Sequence, residues 1–189
     1  MDKPLIRKSA LGKRNAIAPK ERESMSGIIA QNALSLREVQ SAKMIACFLP
    51  IGSEVATRPL IEKLLSLGKQ VCIPVEENHK EVQALKFARL FSLGDRLATS
   101  GHGAQEPVEK DFVDPKSIGL FFVPGTAFDR GGARLGWGRG FYDRFFGYTK
   151  ARGFRIGLAY GFQVVEFIPV EGHDVLMDAL VTENGVLRF

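Results

Sequence analysis

The chain has 189 residues, of which 45% are hydrophobic and 25% are charged, and its formal net charge is +5. This length and apolar content predict one folded domain over residues 1–189 and exclude intrinsic disorder as a description of the whole chain. The longest apolar runs are far shorter than the roughly 20 residues that a membrane-spanning helix needs, so we expect no membrane partner.

The first 43 residues are predicted to form a basic helical arm. They contain nine Lys or Arg residues and four acidic residues, whereas the rest of the chain carries equal numbers of each sign. Helices are predicted over 3–18 and 20–40, and Pro19 favours the first turn of the second. Such an arm suits a nucleic acid, a membrane surface or a small anionic ligand, and it is also typical of a solvated helix face.

Residues 44–75 predict a βαβ unit. The apolar runs 44–49 and 69–75 are typical of buried strands, and apolar residues recur at helical spacing between them. Thr57 is a candidate N-cap, and Gly68 is placed to end this helix. Two strands joined by a helix within about 30 residues require a parallel sheet.

The rest of the chain continues the alternation of strands and helices. Strands are predicted over 84–90, 118–123 and 155–160, a helix over 141–151 and a loop over 94–115. Strands over 179–182 and 186–188 flank Asn184-Gly185, a dipeptide typical of hairpin turns. We therefore predict an α/β single domain: a mostly parallel, Rossmann-like three-layer sheet flanked by helices, with N-terminal helices packed on it and a C-terminal hairpin.

Cysteine and histidine positions carry no metal signal. Cys47 and Cys72 lie inside apolar runs, and no apolar leader opens the sequence. These features predict buried, reduced thiols in a cytoplasmic protein. His79, His102 and His173 lie in polar segments without metal-ligand spacing and are predicted to be solvated.

Residues 123–144 carry the strongest functional signal and have the sequence VPGTAFDRGGARLGWGRGFYDR. Three alternating glycines allow successive amides to converge on an anion, and the helix that follows adds a partial positive charge. Among its arginines, Arg134, Arg139 and Arg144 supply planar donors suited to phosphate oxygens. The P-loop pattern is absent, and Phe141 stands where a dinucleotide fingerprint requires glycine. We predict a phosphate-binding loop of another type, with a flexible connector as the alternative.

The same segment resembles the signature of the 5-formyltetrahydrofolate cyclo-ligase family, approximately PGxAFD followed by GxRLGxGxGYYDR. Residues 48–54 and Lys8 on the first helix agree with it. The resemblance implies that ATP and Mg²⁺ are used to close 5-formyltetrahydrofolate to 5,10-methenyltetrahydrofolate, with release of ADP and phosphate. It further implies a phosphorylated formyl (imino-phosphate) intermediate. It leaves open whether the folate is polyglutamylated, and we expect a monomer.

The resemblance also implies roles for particular residues. The implied ATP contacts are Lys8, Ser9, Ala10, Leu11, Gly12, Arg134, Leu135, Gly136, Trp137, Gly138, Arg139, Gly140, Phe141 and Tyr142. The implied folate contacts are Leu49, Glu54, Trp137, Gly138, Arg139, Gly140 and Phe141. The implied catalytic residues are Arg134, Arg139 and Tyr142. The implied Mg²⁺ ligands are Asp143 and Asp178, with Asp174 as the alternative to Asp178.

Two positions depart from the family pattern. Gly12 stands where the family's Lys-x-x-x-Arg pattern has arginine, and Lys13 or Arg14 is the nearest replacement. Phe141 stands where many members have tyrosine, so a hydroxyl donor is lost. These departures leave open a non-catalytic relative that binds folate.

Other interpretations also stay open. Three of these residues also have purely structural interpretations. In these, Glu54 is a surface acid, Tyr142 is a core residue, and Asp143 only complements the helix dipole. A nucleic-acid-binding protein would use the basic arm and the Arg-Gly loop. We expect no nucleic-acid partner, because the basic residues are not interleaved with aromatics and the rest of the chain is neutral.

Overall fold

In this computed structural model, which describes residues 2–79 and 82–189, helices pack on both faces of a seven-stranded sheet. The described helices are α1 (Lys3–Ala16), α2 (Pro19–Leu34), α3 (Arg37–Ser41), α4 (Arg58–Ser66) and α5 (Phe141–Thr149). The described strands are β1 (Met44–Ala46), β2 (Gln70–His79), β3 (Val82–Leu90), β4 (Leu97–Thr99), β5 (Gln105–Pro107), β6 (Leu120–Pro124), β7 (Ala127–Asp129), β8 (Arg134–Leu135), β9 (Phe154–Leu158), β10 (Val164–Val165), β11 (Ala179–Thr182) and β12 (Gly185–Arg188). None of the described helices is long and apolar enough to cross a membrane.

The main sheet has the strand order β12-β11-β9-β6-β1-β2-β3. Its five inner strands run parallel, and β3 and β12 are antiparallel edge strands. A small sheet (β10-β7-β8) and the hairpin β4–β5 lie beside it. The predicted α/β architecture is confirmed, including the βαβ unit β1-α4-β2 and the C-terminal hairpin, where Gly185 has a φ of +124°.

Two apolar clusters attach the helices to the faces of this sheet. Helices α2 and α4 cover one face through buried aliphatic side chains such as Ile29 and Leu60. Helix α5 covers the other face through Phe145 and Phe146, which make edge-to-face contacts with Phe121. Burying each such side chain stabilises the fold by about 1.5–3 kcal/mol. Helix α1 packs on the small sheet instead.

Three predicted elements differ from the structure. The predicted helix 20–40 is divided into α2 and α3, because Leu36 adopts an extended conformation and its side chain is buried. The predicted strand 44–49 pairs only over Met44–Ala46. The predicted loop 94–115 contains the hairpin β4–β5, whose turn includes Gly103 at a φ of +85°. Strands of three residues are too short for an alternating pattern to predict them.

Candidate active site

A cleft of about 770 Å³ lies where the parallel strands β1, β2 and β6 reach their carboxyl ends. Its walls come from α1, from the loop after β1, from β2, from the turn of the hairpin β4–β5, from the glycine-rich segment 134–143 and from residues 171–174. The carboxyl edge of a parallel sheet is where α/β folds bind ligands, and this volume suits a small molecule.

The glycine-rich wall of the cleft is built mainly from backbone. Gly138 (φ +97°) and Gly140 (φ +62°) are left-handed, a conformation that residues with a Cβ rarely adopt. A Cβ on Gly136 would lie 2.9 Å from Arg134 Nη1, so this position is also restricted. Helix α5 begins at Phe141, directly after these glycines, and its first residues line the cleft. A glycine loop that leads into a helix N-terminus fits the phosphate groups of a nucleotide.

Arg134, Tyr142 and Asp143 form one connected group on this wall. Arg134 Nη2 donates to Asp143 Oδ2 at 2.8 Å, and the guanidinium carbon lies 5.5 Å from the Tyr142 ring centroid. Asp143 Oδ1 accepts the Val175 amide at 3.2 Å. Burial raises the pKa of Tyr142, so its hydroxyl stays protonated and able to donate.

Two polar atoms of this group are unsatisfied. Arg134 Nε and the Tyr142 hydroxyl are buried and have no hydrogen-bond partner within the described ranges 2–79 and 82–189. Buried polar atoms are normally paired, so these two fit a ligand that brings acceptor oxygens, as phosphate does. Tyr142 also belongs to the core, because its ring packs against Phe87 and Phe146.

A buried carboxylate, Glu54, lies on the loop after β1, and 5% of this residue is exposed. Its Oε2 accepts the Ile51 amide at 3.0 Å, and its Oε1 accepts Trp137 Nε1 at 3.0 Å. Arg14 Nη1 lies 4.0 Å from the same Oε1. Burial raises the pKa of Glu54, while the Ile51 amide, Trp137 and Arg14 oppose that rise. The interpretation of Glu54 as a surface acid is therefore wrong.

Helix α1 presents a different face to the cleft from the one expected. None of the predicted contacts on this helix lines the cleft, and these are Lys8, Ser9, Ala10, Leu11 and Gly12. Lys3 and Arg7 line it instead, with the same Lys-x-x-x-Arg spacing five residues earlier. Residues i and i+4 share a helix face, and burial of Ile6 and Ala10 against the small sheet decides which face this is. The sequence of α1 alone does not single out Ile6 and Ala10 as the buried pair, because Leu5 and Leu11 are also apolar.

Lys3 and Arg7 join α1 to two other walls of the cleft. Arg7 Nε donates to the Gly136 carbonyl at 2.9 Å. Lys3 Nζ donates to Glu171 Oε1 and Asp174 Oδ2, each at 2.8 Å. The hydrogen bond to Asp174 is the largest cause of a raised pKa at Lys3, so this side chain is a stable cation.

The second predicted Mg²⁺ ligand lies elsewhere. The Asp178 carboxylate accepts two hydrogen bonds from the Arg155 guanidinium, at 2.9 Å and 2.8 Å, and one from the Arg155 amide at 2.8 Å. Asp178 does not line the cleft, whereas Asp174 and Asp143 do. The described part of the chain contains no group of three or more His, Cys, Asp or Glu side chains that could hold a metal ion. Mg²⁺ is usually held by one or two carboxylates plus substrate phosphates. Asp143 and Asp174 therefore fit an ion that arrives with a nucleotide, rather than a resident one.

Glu76 and His102 form a further pair in the cleft that the sequence did not indicate. His102 Nδ1 is hydrogen-bonded to the Glu76 carboxylate, and both side chains line the cleft, so the prediction of a solvated His102 is wrong. No motif marks this pair, which forms because the turn of β4–β5 packs beside β2. His173 is exposed as predicted, and the His79 side chain lies outside the described ones.

The other predicted site residues do line the cleft. They are Leu49, Glu54, Arg134, Leu135, Gly136, Trp137, Gly138, Arg139, Gly140, Phe141, Tyr142 and Asp143. The structure thus brings the glycine-rich segment and the loop after β1 together at one cleft. Their individual roles stay predictions.

The parallel sheet covered on both faces, with this cleft at its carboxyl edge, defines an α/β protein with a glycine-rich loop at its ligand-binding edge. A sequence profile described as the 5-formyltetrahydrofolate cyclo-ligase family matches residues 1–183. The chain belongs to this family of ligase-class enzymes, which confirms the resemblance carried by the glycine-rich segment.

The similarity to known proteins extends over nearly the whole chain. The 5-formyltetrahydrofolate cyclo-ligase of Escherichia coli K12 is 30% identical over 187 residues, which cover 92% of this chain and 96% of that protein. The NMR structure of Aquifex aeolicus 5,10-methenyltetrahydrofolate synthetase is 36% identical, with a TM-score of 0.84 over 100% of this chain and 93% of that one. The Mycoplasma pneumoniae 5,10-methenyltetrahydrofolate synthetase is 26% identical, with a TM-score of 0.77 over 97% of this chain and 99% of that one.

Proposed function

We propose that this protein closes 5-formyltetrahydrofolate to 5,10-methenyltetrahydrofolate, using ATP and Mg²⁺ and releasing ADP and phosphate. Family membership supports the folate reaction. The observation that carries the proposal is the meeting of two unlike subsites in one cleft: the left-handed glycine loop at residues 138–140, which suits phosphate, and the buried carboxylate of Glu54. We also propose that the protein is located in the cytoplasm and that it acts as a monomer.

The proposed chemistry begins with attack of the formyl oxygen on the γ-phosphate of ATP. The resulting imino-phosphate has a good leaving group, so N10 of the folate can attack the activated carbon while phosphate departs. The protein has to align the reactants and neutralise the charge on the transferring phosphoryl group. Arg134 is buried and fixed by Asp143, which makes it a preorganised cation for this task, and Arg7 and Arg139 add positive charge at the cleft.

The folate half of the proposed site centres on Glu54. The pterin ring carries adjacent N–H donors on one edge, and an ionised carboxylate can accept two of them. The Trp137 ring, which donates to this carboxylate, and the Phe141 ring line the same cleft and offer flat apolar surface. A magnesium ion bound through the nucleotide phosphates, with Asp143 or Asp174 completing its shell, would supply further neutralisation.

Near-ultraviolet absorbance tests the proposal directly. Ring closure creates a conjugated methenyl bridge with a new absorbance band, and we expect this band only when 5-formyltetrahydrofolate, ATP and Mg²⁺ are all present. No band, with folate binding still detected by calorimetry, would identify a non-catalytic relative. No band and no folate binding would reject the proposal, and binding of RNA that weakens steeply with salt would then be tested.

A further inference from the structure

Arg14, in the last turn of α1, is the largest of the fully buried side chains although it carries a charge, and 1% of the residue is exposed. Arginine is almost never fully buried unless its charge is paired. Burial lowers the pKa of Arg14, because the buried guanidinium loses the water that would stabilise its charge. The groups that contact Arg14 must therefore stabilise its buried charge.

Arg14 contacts two parts of the cleft wall, the loop after β1 and the glycine-rich segment. Its Nε donates to Ser53 Oγ at 3.1 Å, its Nη1 lies 4.0 Å from Glu54 Oε1, and its guanidinium carbon lies 5.2 Å from the centroid of the Trp137 ring. Trp137 in turn donates to the same Glu54 oxygen. A planar guanidinium can lie on an aromatic face and also face a carboxylate, which a compact ammonium does less well.

Both partners depend on this contact. Glu54 is buried, which favours its neutral form, and Arg14 is the cation that acts against this. Trp137 is 49% exposed and stands between Gly136 and Gly138, so its neighbours in the chain have no side chains to hold its ring. The hydrogen bond to Glu54 and the face of the Arg14 guanidinium hold it instead.

We infer that Arg14 is a positioning residue for the folate half of the cleft, where it acts through Glu54 and Trp137 and fixes both side chains in the wall that faces the pterin. The inference rests on the proposed function. An ionised, oriented carboxylate accepts two N–H donors of the pterin edge, whereas a neutral or displaced acid cannot. Arg14 therefore sets the affinity for folate rather than for ATP.

The groups that surround Glu54 define the expected pH dependence. The Ile51 amide and the Trp137 indole donate to its carboxylate, and the Tyr160 hydroxyl donates to its main-chain carbonyl at 3.1 Å. Tyr142 from α5 also interacts electrostatically with Glu54. Burial raises the pKa of Tyr142 and of Tyr160, so both hydroxyls stay neutral. Without Arg14 the acid form of Glu54 extends to higher pH, so folate binding improves as the pH rises.

The test uses the whole chain as wild type, Arg14→Met, Arg14→Lys and a surface control, Lys20→Met, which removes the same charge from an exposed position. Turnover by the wild type tests the proposed function separately. For Arg14→Met we expect about a tenfold rise in the KM for 5-formyltetrahydrofolate and less than about a twofold change in the KM for ATP. The raised folate KM should fall as the assay pH is raised, while that of Lys20→Met follows the wild type.

A second readout needs no turnover, because Trp137 is the single tryptophan of the chain. Loss of the guanidinium should free the indole ring and increase quenching of its fluorescence by acrylamide. Lys20→Met should leave the quenching unchanged. This arm remains informative if the wild type does not turn over, a result that would reject the proposed function first.

A wild-type folate KM in folded Arg14→Met overturns the inference and leaves the proposed function intact. Equal increases in both KM values also overturn it, because they indicate a general structural defect. If Arg14→Met does not fold, Arg14→Lys decides: a raised folate KM at constant ATP KM supports the inference, and unchanged values reject it. In a Glu54→Gln background, Arg14→Met should raise the folate KM by a smaller factor than in the wild-type background, because the part of its effect that passes through Glu54 is already lost.

Discussion

The glycine-rich segment and helix α1 line the same cleft in different ways. The segment presents backbone, through left-handed glycines at 138 and 140 and the N-terminus of α5. Helix α1 presents long side chains, Lys3 and Arg7, from one of its faces. A backbone wall is disrupted by an added Cβ, whereas a side-chain wall depends on which face the helix turns inward. The two walls should therefore respond to different substitutions.

The largest effect is expected at the one buried cation of the glycine-rich wall. Arg134→Ala should lower kcat by about 10²–10³-fold, because a preorganised donor to the transferring phosphoryl group is lost. Arg130→Ala, at an exposed position in the same segment, is the matched control. Initial rates from the methenyl absorbance band measure both. A loss below about fivefold at Arg134 would place the charge neutralisation on α1 instead.

Adding a Cβ to the backbone wall should have the next largest effect. Gly138→Ala strains a left-handed residue by about 1–3 kcal/mol, so we expect the KM for ATP to rise by about 10–100-fold. Gly147→Ala is the control within α5, where a Cβ meets nothing within 4 Å and removal of a helical glycine stabilises by about 0.5–1 kcal/mol. Equal behaviour of the two variants would show that the glycine conformation at 138 does not matter for nucleotide binding.

A smaller effect distinguishes the two possible faces of α1. Arg7→Ala removes a cation of the cleft and its hydrogen bond to the Gly136 carbonyl, so the KM for ATP should rise about tenfold. Lys8→Ala, at the next position on the exposed face, should change it by less than about twofold. Titration of ATP at saturating folate measures both, and the reverse order of effects would restore the original expectation for residues 8–12.

The smallest effect is expected at Asp178, an acidic residue that stabilises the fold and does not line the cleft. Asp178→Asn breaks the paired hydrogen bonds to Arg155 between β9 and β11, so thermal unfolding should show a loss of about 1 kcal/mol. The Mg²⁺ concentration for half-maximal rate should stay the same. Asp143→Asn should raise that concentration instead, because its carboxylate lines the cleft. A shift in Mg²⁺ dependence for Asp178→Asn would contradict the structure's placement of this residue.

Much of the fold was predictable because its signals are local. The βαβ unit was indicated by two apolar runs with an amphipathic helix between them, and the C-terminal hairpin by Asn184-Gly185. The contacts of Lys3 and Arg7 were not predictable from α1 alone, because basic and apolar residues lie on more than one face of that helix. The pair of His102 and Glu76 was missed for a related reason: its members lie 26 residues apart and outside any motif.

By itself, the sequence determined the α/β architecture and the glycine-rich wall, since apolar periodicity, turn dipeptides and a run of glycines act over a few neighbouring residues. Only the tertiary structure decided which face of α1 meets the cleft, where Asp178 lies, and that Arg14, Glu54 and Trp137 meet. The Glu54–Trp137 hydrogen bond spans 83 residues. Such contacts depend on how separate elements pack, above all on Ile6 and Ala10 against the small sheet, and no local pattern records that packing.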